Sequence, residues 1–357
     1  MENGCKRLLV FNCHEAWVHQ LRLLDYDLDI ICGLRGHHAQ GWDTHMRPVP
    51  ARARLIGLEE ALTSGERYAC IIAHNPTDLM DIRTRTEPRL LMLHLSLGAR
   101  LVEERSALTA EQARQILHRY VRLSGTHVAA VTLAKGRSWG FPDDIVPPAV
   151  EPDEYPPCEG RMVCGLRVSN FILRRKKSLY WTFHEQAFAG LPIRVVGHNP
   201  DMPGASPSRD WEHLKDLFRT SRFYIHTADP DLEDGYNIAT LEAMATGLPV
   251  LSNRHPTSII EHGVSGFLSD DPKELRNYAR LLLDDKELAL EMGRQARLTV
   301  RRRFTPEAFR SNMERAIATA RGRRESLARP HQAIAEFSRQ SGKTLGEPRS
   351  VSPAQRL

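Results

Sequence analysis

The chain has 357 residues, a hydrophobic fraction of 41%, a charged fraction of 26% and a formal net charge of +5. That length supports two α/β domains, each burying its own core, and excludes a single small module. No apolar run approaches the roughly 20 residues of a membrane-spanning helix, and no zinc pattern or aromatic-interleaved basic module marks a nucleic-acid reader.

In chain order, short apolar runs alternate with helical ones, which predicts a parallel sheet covered on both faces. The expected strands are Lys6 to Asn12, Leu28 to Cys32, Tyr68 to Ala73, Arg89 to His94 and His127 to Thr132. Helices are expected over Glu15 to Leu24 and Thr109 to Leu123. Prolines 142, 147, 148, 152, 156 and 157 then break regular structure between Gly136 and Gly160, which places a stiff interdomain linker there.

A second α/β unit is expected from strands Met162 to Gly165, Leu191 to Gly197, Phe223 to Thr227 and Pro249 to Ser252. Helices over Lys177 to Ala189, Trp211 to Thr220, Pro272 to Leu283 and Lys286 to Arg302 fill its crossovers. The domains are therefore drawn at 1–150 and 151–320, with 325–357 a polar tail that loses periodicity and reads as disordered over Ser341 to Leu357.

Cys5, Cys13, Cys32, Cys70, Cys158 and Cys164 show no CxxC spacing, and four of them lie in or beside apolar runs. Reduced, structural thiols and a cytoplasmic location are the expectation, since the first residues do not read as a secretory leader. Basic clusters at Arg301 to Arg303 and Arg321 to Arg324 read as solvated helix faces or as a peripheral attachment to anionic lipid.

The most specific signal is Asp234 to Gly247 with the apolar strand Phe223 to Thr227 before it. Gly235 permits unusual backbone geometry just before a helical run, and the free amides of a helix start favour phosphate. Glu242 lies within an apolar helical run, where a carboxylate needs a partner or a ligand.

This D-x7-E stretch, with Gly247-Leu-Pro-Val and Ile259 to Leu268 after it, resembles the E-x7-E signature of retaining GT-B glycosyltransferases of the family-four, or glycosyl transferases group 1, type. The linker Ile145 to Tyr155, and Gly293-x-x-Ala296-Arg297 followed by Phe304 to Phe309, are also similar to that family. The resemblance implies two facing Rossmann-like domains with a deep interdomain cleft, and a last helix that crosses back to the first domain. It implies that Glu242 binds the nucleotide ribose and that Asp234 reaches the donor sugar (Glu233 if the register slips), while the Gly235 turn would aim the amides of Tyr236, Asn237 and Ile238 at the distal phosphate. Arg167 and Lys177 would stabilise the leaving diphosphate, with Lys176 or Arg174 as substitutes. His94 would face the donor sugar from the first domain, with His14 and His74 as further cleft-rim candidates.

The implied reaction needs no cofactor and no metal, and no histidine spacing demands one. The nucleotide sugar is a substrate, and the acceptor is a glycan, a lipid-linked molecule or a small molecule, polysaccharide biosynthesis being the family-level setting. The first strand-to-helix turn, Asn12 to Trp17, lacks the glycines many relatives carry, and no G-x-G-x-x-G follows a strand. Two rivals follow: a non-catalytic nucleotide-sugar sensor or partner subunit, and a nucleotide-sugar epimerase.

Overall fold

The computed structural model describes residues 6–34, 41–255 and 257–340. Among them, eleven strands form two wholly parallel sheets. The first holds β1 (Arg7–Phe11), β2 (Asp27–Ile31), β3 (Ala53–Ile56), β4 (Cys70–Ala73), β5 (Arg89–Leu93) and β6 (His127–Ala130), in the spatial order β3-β2-β1-β4-β5-β6. The second holds β7 (Gly165–Val168), β8 (Ile193–Val196), β9 (Phe223–Ile225), β10 (Val250–Ser252) and β11 (Gly266–Leu268), in the order β11-β10-β9-β7-β8.

Consecutive residues Leu8, Leu9, Val10 and Phe11 are all fully buried, as a strand covered on both faces requires. Each sheet reverses its strand order once, between β1 and β4 in the first and between β7 and β9 in the second. In open α/β sheets, ligands bind in the crevice beyond the carboxyl ends of strands at such a reversal.

The last helix, Pro306–Gln340, leaves the second domain and packs on the first sheet. Phe309, Met313, Ala316, Ile317 and Ala320 are buried in the same cluster as Leu8, Val10, Leu90 and Met92. In the second domain, Gly293 allows two segments to touch. A Cβ there would fall 1.8 Å from the Gly247 carbonyl oxygen, far inside contact distance.

Several boundaries differ from expectation for physical reasons. The seventh strand is Gly165–Val168, not Met162 to Gly165: Met162 and Val163 are exposed, and the ladder pairs Gly165 with Ile193 and Phe223. The helix expected from Lys177 starts at Trp181, because residues 172–180 form successive turns ending at Tyr180 with φ +48°. The first helix stops at Val18 and tightens into a 3-10 turn over His19–Leu23. β3 was not expected at all; it is an edge strand with Arg54 and Leu55 exposed, so it shows little apolar pattern. Helix continues past Arg324 to Gln340, and the tail from 341 onward lies outside the described residues. The described cysteines are unpaired thiols, with Cys5 outside the described set.

Candidate functional site

A cavity of about 540 Å³ separates the two sheets, lined by loops at the carboxyl ends of strands in both. The helix Ile238–Thr246 opens on its wall, with Tyr236, Asn237, Ile238 and Glu242 all lining it. Asn237 caps this helix, its side-chain oxygen accepting from the Thr240 amide at 2.9 Å. The first-turn amides are those an α-helix leaves without intrahelical partners. Gly235 makes the preceding turn at φ +82°, where a Cβ would stand 2.7 Å from Cβ and Cγ of His255.

The two motif carboxylates are both engaged from the first domain. Glu242 is almost fully buried; the Tyr155 hydroxyl donates to its Oε1 at 2.9 Å, and the Arg47 guanidinium pairs with the same oxygen. Arg47 is itself buried and lies over the Trp211 ring, 4.8 Å from the centroid. Its loop is fixed to the second domain by His45 Nδ1 on the Arg209 carbonyl at 2.6 Å and by the Ser208 hydroxyl donating to the His45 carbonyl at 3.2 Å.

Asp234 is 2% exposed and is not on the cavity wall; Glu233, one residue earlier, is. Lys135, from the Leu133–Trp139 helix of the first domain, joins them, with Nζ 2.8 Å from Glu233 Oε1 and 3.0 Å from Asp234 Oδ1. Burial pushes the Glu233 carboxyl up despite Lys135. For Asp234, burial also favours the neutral form, but the Lys135 charge and the hydrogen bonds of Thr132 and Glu233 outweigh it and hold the carboxyl below its usual value. Burial would lower the Lys135 ammonium, yet its two carboxylates raise it, so the lysine stays charged.

Neither of the two cations expected at the diphosphate, Arg167 and Lys177, lines the cavity. Arg167 is buried behind the wall, donating from Nη1 to the Thr227 hydroxyl at 2.6 Å and from Nη2 to the Leu179 carbonyl at 3.2 Å, and burial pushes its pKa down to about 10. It sits on strand β7 with its side chain directed into the domain, which strand alternation decides and a motif match does not show. Lys177 is exposed on the turns before the Trp181 helix, off the cavity wall. Arg175, within the same basic run, does line the cavity, its Nε 3.0 Å from Glu103 Oε1 of the first domain.

On the first-domain wall, His94 and His74 both line the cavity and touch each other, His74 Nδ1 lying 2.8 Å from His94 Nε2. Cys13 Sγ is 3.9 Å from His94 Nε2, and His14 lines the same wall. Burial lowers His74 to about 3 and takes His94 well below the usual imidazole value, with the neighbouring His74 and Lys135 adding to the latter.

Sequence reasoning missed Arg47 and Lys135. Lys135 carried a faint signal, as the first charged residue after the uncharged run Val128 to Ala134. Arg47 carried none, because its loop pairs with Glu242 only through the meeting of two domains.

Comparison with known proteins bears on both fold and family. Residues 202–299 match the model of the glycosyl transferases group 1 family. A curated relative, N-acetyl-alpha-D-glucosaminyl L-malate synthase of Bacillus anthracis, is 34% identical over 86 residues, which span 23% of each chain. The match thus covers under a quarter of that relative's length. Among solved structures, Alr3699/HepE of Anabaena, in complex with UDP and glucose, superposes with a TM-score of 0.65 at 11% identity, covering 88% of this chain and 99% of that one. Sucrose-phosphate synthase of Thermosynechococcus elongatus gives 0.62 at 14% identity, covering 87% and 98%. The chain has the GT-B fold, two facing Rossmann-like domains, and within the second of them residues 202–299 match the glycosyl transferases group 1 family model.

Proposed function

We propose that the protein is a retaining glycosyltransferase that moves a sugar from a nucleoside-diphosphate donor to an acceptor hydroxyl in the cleft. The observation that carries this reading is the Ile238–Thr246 helix, which opens on the cavity with its first turn and Glu242 on one wall. A helix start supplies amides and a partial positive charge to a phosphate, while a buried carboxylate one to two turns on is at the distance of the attached ribose.

In this reading Glu242 keeps Oε1 on Tyr155 and Arg47 and offers Oε2 to the ribose hydroxyls. Backbone amides from Gly235 to Ile238 take the distal phosphate. Arg175 replaces Arg167 and Lys177 as the cation that stabilises the diphosphate while the anomeric carbon–oxygen bond breaks. Glu233 faces the donor sugar, and Asp234 anchors Lys135 behind it. The acceptor oxygen attacks from the face the diphosphate leaves, and its proton passes to the departing phosphate oxygen. No protein nucleophile takes part, and the nucleotide sugar is a substrate, with no cofactor in the step. His94 belongs to the acceptor-side wall.

The acceptor proposed is a glycan, a lipid-linked molecule or a small molecule, and a cytoplasmic enzyme of polysaccharide biosynthesis, peripheral to a membrane through its basic last helices, is the setting proposed. Among the described residues, no helix is long and apolar enough to cross a membrane. The test is nucleotide release from a panel of nucleoside-diphosphate sugars, with anomeric analysis of the product and donor affinity measured for wild type and Glu242→Ala. Release with retention and a weakened Glu242→Ala support the reading. Binding without release across broad acceptor screens points instead to a nucleotide-sugar sensor, and unchanged affinity in Glu242→Ala removes the proposed donor site.

A further inference from the structure

We propose that Cys13, His74 and His94 bind one divalent transition-metal ion of the zinc class, with a fourth coordination position open to the cleft. The three residues are the first or second after β1, β4 and β5, which are neighbours in the first sheet and all run the same way. Their side chains therefore converge at one sheet edge, at the strand-order reversal where this architecture places ligands. The ligand atoms of all three lie within 4.8 Å of one another.

The distances match a collapsed tetrahedral site. Zinc–nitrogen bonds of about 2.0–2.1 Å and a zinc–sulfur bond of about 2.3 Å put tetrahedral ligand atoms roughly 3.3 to 3.6 Å apart. Here the imidazole nitrogens are 2.8 Å apart and the thiol sulfur is 3.9 Å from His94. The metal-free pair shares a hydrogen bond; binding opens it by about half an ångström, so that both nitrogens direct lone pairs at the ion. One thiolate with two imidazoles is a borderline-soft set that selects zinc, cobalt or similar ions over magnesium and calcium, which prefer oxygen.

Trp17 fixes the two rings, meeting His74 and His94 edge-on with centroids at 5.0 and 4.9 Å. Three protein ligands that all line the cavity leave room for a fourth from solvent, the arrangement of a zinc site that keeps an exchangeable position. Sequence spacing did not suggest this set, since its members are separated by 20 and 81 positions and meet only through the sheet. The inference does not depend on the donor reading, because its readouts report metal rather than turnover.

The test is titration of the full, chelator-stripped chain with Co²⁺, followed by absorption spectroscopy and elemental analysis. One equivalent is expected to give a thiolate-to-cobalt band in the near ultraviolet and intense visible bands of tetrahedral cobalt, both abolished by Zn²⁺. Acetate is expected to shift the visible bands by entering the fourth position; no shift overturns the open position. Cys13→Ser should remove the charge-transfer band, and Cys13→Ser and His74→Ala should each weaken binding more than about tenfold. Circular dichroism checks that both variants fold. A wild-type chain that takes up no stoichiometric metal, or a charge-transfer band that survives in Cys13→Ser, overturns the proposal, and the wild-type spectrum decides even if a variant fails to fold.

Discussion

Arg47 of the first domain and Glu242 of the second form a buried ion pair across the cleft, each side chain 4% exposed. Breaking such a pair on one side leaves an uncompensated buried charge. Arg47→Ala is therefore expected to cost about 3–5 kcal/mol of stability, read by urea unfolding. The double variant Arg47→Met with Glu242→Gln should lose less than the sum of the single changes, because neither charge is then stranded. Additive losses would show that the two side chains do not sense each other.

Arg175 and Lys177 lie two positions apart but face different surroundings. Arg175→Ala should lower kcat by roughly 10²–10³-fold, the range for removing one preorganised group that stabilises developing charge. Lys177→Ala should leave kcat and KM near wild type. Steady-state kinetics with one active donor checks both, and the reverse ranking would return the diphosphate to the exposed turn.

Lys135 holds Glu233 and Asp234 together. In Lys135→Met these neighbouring carboxylates lose their shared cation, and protonating them relieves the strain. The variant's stability relative to wild type should therefore recover as pH falls from 7 towards 5. Unfolding midpoints at several pH values test this, and a stability deficit independent of pH would contradict it.

Acid should also weaken the fold through histidines away from the proposed metal ligands. Burial lowers His226 to about 3, and His19 is lowered to about 4 by burial and by the Arg22 and Arg47 charges. The unfolded chain binds a proton at each near pH 6.5, so their contribution is intact above that value and falls away as pH drops towards the folded values. The loss is about 1.4 kcal/mol per pH unit per histidine. Denaturant unfolding between pH 7.5 and 5 should show a slope of this sign, and His226→Gln should remove one histidine's share of it, about 1.4 kcal/mol per pH unit below pH 6.5.

Gly235→Ala places a Cβ 2.7 Å from the His255 side chain at a φ of +82°. A cost of about 1–3 kcal/mol is expected from the backbone alone. Because the same turn aims the helix start at the cavity, donor affinity measured by calorimetry should fall with it.

The fold was largely legible in the sequence because buried parallel strands are written as unbroken apolar runs, as in Leu8 to Phe11 and Cys70 to Ala73. Edge strand β3 was not, since half of its residues meet water. The candidate site was legible where one segment carries it, since Tyr236, Asn237, Ile238 and Glu242 all line the cavity. It was illegible where two domains meet: the contacts of Arg47 with Glu242 and of Lys135 with Glu233 and Asp234 depend on how the two domains face each other. Arg167 shows a third limit, since a cation at the right motif position faces inward when strand alternation turns it from the cavity.

The return of the last helix to the first sheet has a mechanical consequence. The backbone crosses between the domains twice, near Val150 on the way out and near Phe304 on the way back, and the two crossings are tied by the Val150 amide donating to the Phe304 carbonyl at 3.0 Å. A single crossing would restrain their relative rotation less. Two crossings tied by this bond leave the domains fewer ways to turn on one another, so the meeting of Arg47 with Glu242 is constrained by where the chain begins and finishes its second domain.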